Sequence, residues 1–238
     1  MVPLRVRAPF AAFRTFTAGA YRPTAPFLPP SAAYGLLLYI AGIDSRLDDG
    51  ESPMTLMRTD LPRAWVAVGE ISEPERQLVF QQLHNYPVGE QGKERREPAK
   101  GYKYNIQPIR REFLSDLDAC IVLDGNPELE ERVRQGLELG ADYRPERRPR
   151  YGIPFVGDNN FFLSRLEIES APLSACWYER LPRGEGAGDS GVSRLTVWID
   201  RKAMANTYAP LFRRAPEPSP IVPATAWVQI PPENHSGP

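Results

Sequence analysis

Residues 117–140, LDACIVLDGNPELEERVRQGLELG, carry the clearest fold signal in this chain of 238 residues. Apolar side chains alternate from Leu117 to Leu123, which predicts a strand, and Asp124-Gly125 is typical of a turn. The Asn126-Pro127 pair then predicts an N-cap and first helical position, followed by an apolar stripe of helical spacing. Gly140 is placed to end that helix. The segment therefore predicts a strand, a tight turn and an amphipathic helix.

The N-terminal half adds further elements. Leu4 and Val6 alternate with arginines as in a half-buried strand, and the Pro-, Thr- and Gly-rich stretch from Arg14 to Pro30 predicts a long loop. Ser31 is expected to cap a short, mostly buried helix. Trp65 to Ile71 predicts another strand.

The remaining segments complete the expected topology. A polar and basic stretch at about 74–110 predicts a hairpin, and the glycine-containing segment after residue 150 predicts a strand, turn and strand. Ala175 to Arg180 and Val192 to Ile199 are expected to form a hairpin across a glycine-rich loop, with a last strand at Thr225 to Ile230.

This order predicts an α+β, ferredoxin-like (modified RNA-recognition) fold with a long basic hairpin insertion and a β-rich C-terminal lobe. The expected division is 1–150 for the RNA-binding domain and 151–238 for the glycine segment and C-terminal lobe. Fold alone leaves function open, because this superfold hosts many activities.

Composition narrows the classes of function. The formal net charge is -1, so any nucleic-acid surface must be local. Cys120 and Cys176 lie in apolar stretches, as expected of buried, reduced thiols. No apolar run approaches the roughly 20 residues of a membrane span, and the N-terminus lacks a signal-peptide pattern. We therefore expect a cytoplasmic protein without membrane contact.

Two motifs resemble a known family. PTAPFLPPSAAYGLLLYIAGI (residues 23–43) follows a first strand, and RYGIPFVGDNNFF (residues 150–162) follows a basic insertion. This arrangement resembles the CRISPR-associated Cas-five family, most of all its DevS-type branch. The resemblance extends loosely over most of the chain.

The resemblance implies a non-catalytic subunit of the type I CRISPR surveillance complex called Cascade. Such a subunit binds the five-prime handle of crRNA and caps the backbone filament. The implied partners are crRNA, a backbone subunit of the Cas-seven type and a large subunit of the Cas-eight type, with target DNA nearby. No cofactor is implied.

The start of the first helix is one candidate RNA contact, through Ser31 and Tyr34. Unpaired N–H groups and the helix dipole favour phosphate there. Gly35 is expected to let another backbone pack closely. The alternative is a capped core helix.

The preceding loop supplies Arg14, Tyr21 and Arg22. Arginines bind phosphates and tyrosine stacks on unpaired bases. A solvated loop face is the alternative.

Two basic clusters follow. The first has the cation and tyrosine mixture of an RNA-binding finger, although glutamates dilute it and a solvated hairpin is the alternative. In the family resemblance it is a thumb-like hairpin. It comprises Lys93, Arg95, Arg96, Lys100, Lys103 and Tyr104. The second cluster is the preferred phosphate site and comprises Arg147, Arg148 and Arg150.

The GDNN turn completes the candidate set. Gly157 is expected to let backbone approach RNA, and Asn159 and Asn160 to read base edges or 2′-hydroxyls. A tight turn capped by asparagine is the alternative. Trp177 and Trp227, like Trp198, are expected to be core or interface anchors.

Two other functions compete with RNA binding. A metal-independent endoribonuclease that processes precursor crRNA needs a base, and His84 near Tyr86 is the thin candidate, since His235 lies in the tail. A scaffold that binds only proteins is the other alternative. The two cysteines and two histidines lack zinc-ligand spacing, so no metal is predicted.

Overall fold

The computed structural model describes residues 1–15, 21–52, 55–87, 104–142, 153–158, 160–203 and 206–233, with the backbone alone at 83–87, 104–107 and 141. Two α-helices and twelve strands are described within these ranges. The helices are α1 (Pro30–Ile40) and α2 (Pro127–Leu139). The strands are β1 (Val2–Ala11), β2 (Tyr21–Arg22), β3 (Arg46–Leu47), β4 (Leu56–Met57), β5 (Ala64–Ser72), β6 (Glu75–Pro87), β7 (Tyr104–Asp124), β8 (Arg165–Ile168), β9 (Cys176–Arg180), β10 (Val192–Arg194), β11 (Leu211–Arg214) and β12 (Val228–Ile230).

Ten of these strands form one sheet. Its main path runs β10–β11–β9–β5–β7–β1–β8, while β12 pairs with β5, and β2 and β6 pair with β7. All pairings are antiparallel except that of β2 with β7. The expectation of a mixed chain with few helices and a large sheet is confirmed. Strands from both sides of residue 150 join this sheet, and the division into two domains stays a prediction.

Residues 117–140 fold as their sequence pattern predicts. The carboxamide oxygen of Asn126 accepts a hydrogen bond from the Leu129 N–H at 3.0 Å, Pro127 begins α2, and Gly140 ends it with a φ of 54°. The strand that precedes the turn is longer than predicted, because β7 starts at Tyr104. Local capping and alternation thus determine these elements.

The core lies between the sheet and the two helices. β7 directs Ala119, Ile121 and Leu123 into it, while Cys120 and Val122 belong to a smaller apolar cluster with Trp177. Both faces of this part of β7 are therefore buried, which explains its continuous apolar run. Cys120 and Cys176 are buried free thiols, as expected.

The hairpin predicted between Ala175 to Arg180 and Val192 to Ile199 is wrong. β11 lies between β9 and β10 and pairs with both. The two predicted partners are therefore separated by a strand that follows β9 by about 30 residues in the sequence. The regular part of the second strand is also short, ending at Arg194. The predicted last strand begins as a 3-10 turn and becomes β12 at Val228.

Among the described residues, neither α-helix is long and apolar enough to cross a bilayer.

Candidate nucleic-acid interface

The loop after β1 is held against β7. β2 pairs in parallel with β7, with Tyr21 opposite Arg110 and Arg22 opposite Arg111. Upstream, Arg14 forms an isolated bridge with Thr24, whose hydroxyl accepts the Phe13 N–H at 2.9 Å. The loop thereby places three predicted contacts, Arg14, Tyr21 and Arg22, along one edge of β7.

Glu112 on β7 fixes the orientation of this loop. The Tyr21 hydroxyl donates to one carboxylate oxygen of Glu112, and the Thr24 N–H donates to the other at 3.1 Å. The hydrogen bond to Glu112 raises the pKa of Tyr21, with a smaller contribution from burial. The hydroxyl is therefore occupied, whereas the side chain is 48% exposed and its ring remains accessible for stacking.

The glycine segment packs on the same loop. Gly157 has a φ of 77°, and a Cβ there would lie 2.0 Å from the carbonyl oxygen of Ala12. The Ala12 N–H also donates to the Val156 carbonyl at 3.3 Å. The prediction that Gly157 admits RNA backbone is wrong in this respect, because protein backbone already occupies that side. Gly157 instead brings its turn beside the loop after β1.

Asp158 anchors this turn to β7. Its carboxylate accepts hydrogen bonds from the Arg111 guanidinium and from the backbone N–H and side-chain amide of Asn160, the latter two at 3.0 and 2.9 Å. Burial opposes ionisation of Asp158, but these bonds outweigh it and hold its pKa below the ordinary value. Asn160 is exposed, yet its amide donates inward. Asp158 therefore caps the turn through the backbone N–H of Asn160.

The predicted phosphate site at the start of α1 is wrong. The Ser31 N–H donates to the Thr196 carbonyl at 3.0 Å, and those of Ala32 and Ala33 donate to Pro29, while Pro30 has no N–H. The first turn therefore leaves no backbone donor for an anion. Pro29 is the N-cap, and no side chain caps the helix.

Tyr34 also belongs to the core instead of an RNA surface. Its side chain is 2% exposed, and its hydroxyl donates to the Pro62 carbonyl at 2.7 Å. A Cβ on Gly35 would meet nothing within 4 Å, so the expected close backbone contact there is wrong too. The helix start thus has the core role given as the alternative.

Several predicted residues lie outside the described ranges. For Tyr104 the structure gives the backbone, which pairs with Pro87 at the far end of β6 and β7. The side chain of His84 is likewise outside. The residues outside altogether are Lys93, Arg95, Arg96, Lys100, Lys103, Arg147, Arg148, Arg150, Asn159 and His235.

The paired strands β6 and β7 present a surface that the sequence interpretation missed. Phe80 is 66% exposed and Leu78 is 58% exposed. The Arg110 guanidinium lies 5.4 Å from the centroid of the Phe80 ring, and Tyr21 pairs with Arg110 on the other side. The run of three apolar residues at 78–80 was the available signal, but the surrounding polar residues favoured a solvated hairpin.

We call this part of the sheet the handle face and define it by Arg14, Tyr21, Arg22, Phe80 and Arg110. Because side chains alternate along a strand, Tyr21, Phe80 and Arg110 share one side of the sheet, and Arg22 lies on the other side with Arg111. It combines cations with exposed aromatic rings, which is the composition of a single-stranded nucleic-acid surface. The glycine turn borders it through Asp158 and Arg111.

Within the described ranges, no group of three or more His, Cys, Asp or Glu residues is arranged to hold a metal ion.

The fold and this surface define an α+β protein built on a large antiparallel sheet with a cationic, aromatic edge. A family model described as "CRISPR-associated protein (Cas_Cas5)" matches residues 1–141. The chain therefore belongs to the CRISPR-associated Cas5 family, which confirms the resemblance inferred from residues 23–43.

A solved structure shares the fold. A chain from "CRISPR RNA-guided surveillance complex" is 16% identical with a TM-score of 0.54, covering 94% of this chain and 92% of that one. A chain from "Crystal structure of Cas protein" is 18% identical with a TM-score of 0.44, covering 92% and 99% respectively. No curated protein matches this sequence.

Proposed function

We propose that this protein is a non-catalytic subunit of a type I CRISPR Cascade complex and binds the five-prime handle of crRNA. One observation carries the proposal. The loop after β1, the glycine turn and the base of the β6–β7 pair all meet along β7, where Tyr21 and Arg22 lie opposite Arg110 and Arg111. The likeness to a chain of a surveillance complex agrees with it.

The core architecture supports a ferredoxin-like assignment as part of this proposal. The elements follow the order β1, α1, β5, β7, α2, β8, and the corresponding strands are arranged β8–β1–β7–β5. A split βαβ fold has this arrangement, with both helices on one face. The same architecture carries RNA on its sheet in RNA-recognition modules.

The side chains of the handle face are better suited to positioning RNA than to cleaving it. Its described side chains are arginines and aromatic rings, and the nearby acids Glu112 and Asp158 are engaged in hydrogen bonds that fix the loop and the glycine turn. Cations of this kind neutralise phosphates, and rings stack on bases. We further propose that the basic residues of 93–103 and 147–150 extend this surface, and that backbone (Cas-seven) and large (Cas-eight) subunits contact the protein near target DNA in the cytoplasm.

The test uses the full chain, alone and co-purified with the other subunits, and labelled repeat RNA. We expect the RNA to be bound and to stay intact. Arg14→Glu with Arg22→Glu should weaken binding at least tenfold, since reversing a phosphate contact costs about 1.4 kcal/mol or more. Lys202→Glu, a charge reversal at an exposed cation elsewhere, is the matched control.

Three results would contradict the proposal. Metal-independent cleavage that disappears in His84→Ala would indicate an endoribonuclease. Assembly without any RNA contact would indicate a protein-only scaffold. Equal weakening by Lys202→Glu and by the handle-face variant would indicate nonspecific attraction.

A further inference from the structure

A second cationic surface lies at the ends of β9 and β10. A groove of about 1360 Å³ runs there between the chain after β9, the strand β10 and the segment Thr207–Leu211. Its described lining includes Arg180, Arg183 and Arg194 and contains neither aspartate nor glutamate. We call it the arginine groove.

The groove arginines differ in their partners from the ion-paired arginines of this protein. Arg180 donates to the Tyr208 hydroxyl at 3.3 Å, and Arg194 donates to the Ala209 carbonyl at 2.5 Å. Within the described part of the chain, none of the three groove arginines has a carboxylate within ion-pair distance. Seven others do, namely Arg5, Arg7, Arg58, Arg111, Arg165, Arg213 and Arg214.

Uncompensated guanidinium groups point to an anionic ligand. Each guanidinium has five N–H donors, and the two described bonds use one donor each from Arg180 and Arg194. The remaining donors match the oxygens of phosphate groups. A groove of this volume also exceeds the roughly 300–1000 Å³ of typical small-molecule pockets, so an extended ligand fits it better.

The groove continues into a second cavity that contains aromatic rings. This cavity, of about 360 Å³, shares Arg180 and Tyr208 with the groove and is also lined by Trp65 and Trp227. Trp65 is 43% exposed although it lies in a buried strand. We call it the tryptophan cavity. Among its described lining residues, Glu233 is the one acid.

Packing fixes the ring of Trp65. A Cβ on Gly125 would lie 2.7 Å from Cδ1 of Trp65, so the indole rests directly on the turn between β7 and α2. An exposed indole held in this way loses little freedom when a base stacks on it. Gly125, the turn glycine of residues 117–140, therefore also positions the exposed side chain of Trp65.

We propose that the arginine groove and the tryptophan cavity together bind one single strand of nucleic acid. The guanidinium groups of the groove contact consecutive phosphates, and the indoles of the cavity stack on bases. Adjoining cations and flat rings are the two components of single-strand binding sites. An acidic peptide would use the arginines but gains little from two indoles. This inference stands apart from the handle face and does not rest on it.

The test is intrinsic tryptophan fluorescence of the full chain during titration with single-stranded oligonucleotides unrelated to the repeat, in separate RNA and DNA arms. Trp177 and Trp198 are buried, so base stacking quenches emission from Trp65 and Trp227. We expect quenching in one or both arms, and the stronger arm identifies the source of the strand. Trp65→Phe should remove most of it.

Charge variants separate this site from the handle face. Arg183→Glu with Arg194→Glu should raise the oligonucleotide concentration for half-quenching at least tenfold. It should also lower the salt slope by about 0.7 for each lost phosphate contact. Arg183→Lys with Arg194→Lys, which keeps the charge, should restore most of the affinity. Arg213→Glu, on neighbouring β11 but paired with Asp189, and the handle-face variant should leave half-quenching within about twofold.

Absence of quenching in both arms at low salt would overturn the proposal. So would quenching that the groove variant leaves unchanged. Quenching by polyglutamate as strong as that by the oligonucleotides would assign the groove to acidic peptides instead, and the proposal would be wrong. Circular dichroism verifies that each variant is folded.

Discussion

The arginine that borders the handle face and the arginines of the groove have different partners. Beside the handle face, Arg111 is paired with Asp158, and this pair holds the glycine turn on β7. In the groove, Arg180, Arg183 and Arg194 have no carboxylate partner among the described residues. A nearly neutral chain can thus contain arginines with a structural role and arginines that are available to a ligand. The presence or absence of a carboxylate partner distinguishes the two kinds.

The largest expected effect comes from removing a paired arginine close to the groove. Arg214 on β11 donates to Glu70 at 2.6 Å, and Tyr178 donates to the same carboxylate at 3.0 Å. Glu70 is 3% exposed. Arg214→Ala should therefore lower the free energy of unfolding by about 3 kcal/mol, the low end for a buried pair because a third of the Arg214 side chain is exposed.

The pH dependence of this variant is a further check. Burial raises the pKa of Glu70 even beside Arg214. Without Arg214 the pKa rises further, so the loss of stability should become smaller as pH falls and Glu70 is protonated in both the folded parent and the folded variant. Urea unfolding at several pH values measures both effects. Arg194→Ala is the control and should change stability little, and an equal loss in the two variants would contradict the distinction between ion-paired and unpaired arginines.

Phe80→Ala tests whether the handle face stacks bases. Because the ring is 66% exposed, its removal should hardly change stability. Stacking of one base on an aromatic ring contributes about 1–3 kcal/mol, so affinity for repeat RNA should fall roughly tenfold. Binding titrations with Phe80→Tyr, which keeps a ring, supply the control. Unchanged affinity in Phe80→Ala would exclude the β6 surface from the interface.

The sequence predicts the structure correctly where an element depends on interactions between residues that are close in sequence. Asn126, Pro127 and Gly140 mark the ends of α2 because capping involves neighbours in sequence. The order of β9, β11 and β10 could not be anticipated, because β11 enters from residues 211–214 and displaces a hairpin that turn chemistry favours.

The candidate site divides in the same way. The loop with Arg14, Tyr21 and Arg22 was predicted from composition, and the structure pairs Tyr21 and Arg22 with β7. The prediction of a phosphate site at the start of α1 was wrong, because the Ser31 N–H donates to the carbonyl of Thr196, which comes from a distant segment of the chain. The exposed Trp65 was missed because its strand pattern predicts burial, and only the tertiary structure reveals the adjoining cavity.

Asp158→Asn tests the structural arginine beside the handle face. The substitution keeps an acceptor for Asn160 but removes the charge opposite Arg111, and should cost about 1.5 kcal/mol at neutral pH. Since the pKa of Asp158 lies below its ordinary value, its contribution is present above the ordinary pKa of about 4 and is lost as pH falls through the folded value. Thermal unfolding against pH should show the variant and the parent converging in acid. Asp189→Asn, at the exposed pair with Arg213, should cost less than about 1 kcal/mol.

The smallest effect concerns the corrected residue at α1. Tyr34→Phe removes the hydroxyl that donates to Pro62 and should cost about 1 kcal/mol of stability. RNA affinity should stay the same because the ring is buried. Reduced RNA binding in a stably folded Tyr34→Phe protein would restore the phosphate-site interpretation of the helix start.

Photo-cross-linking would locate the crRNA handle on the surface of the protein. Repeat RNA carrying 4-thiouridine in the handle would be bound to the protein within its co-purified complex, irradiated and analysed by peptide mass spectrometry. We expect cross-links in the peptides that contain Tyr21 and Phe80, whose strands pair with the two sides of β7. Cross-links confined to α2 or to the β9–β11 strands, with none on the peptides flanking β7, would contradict it.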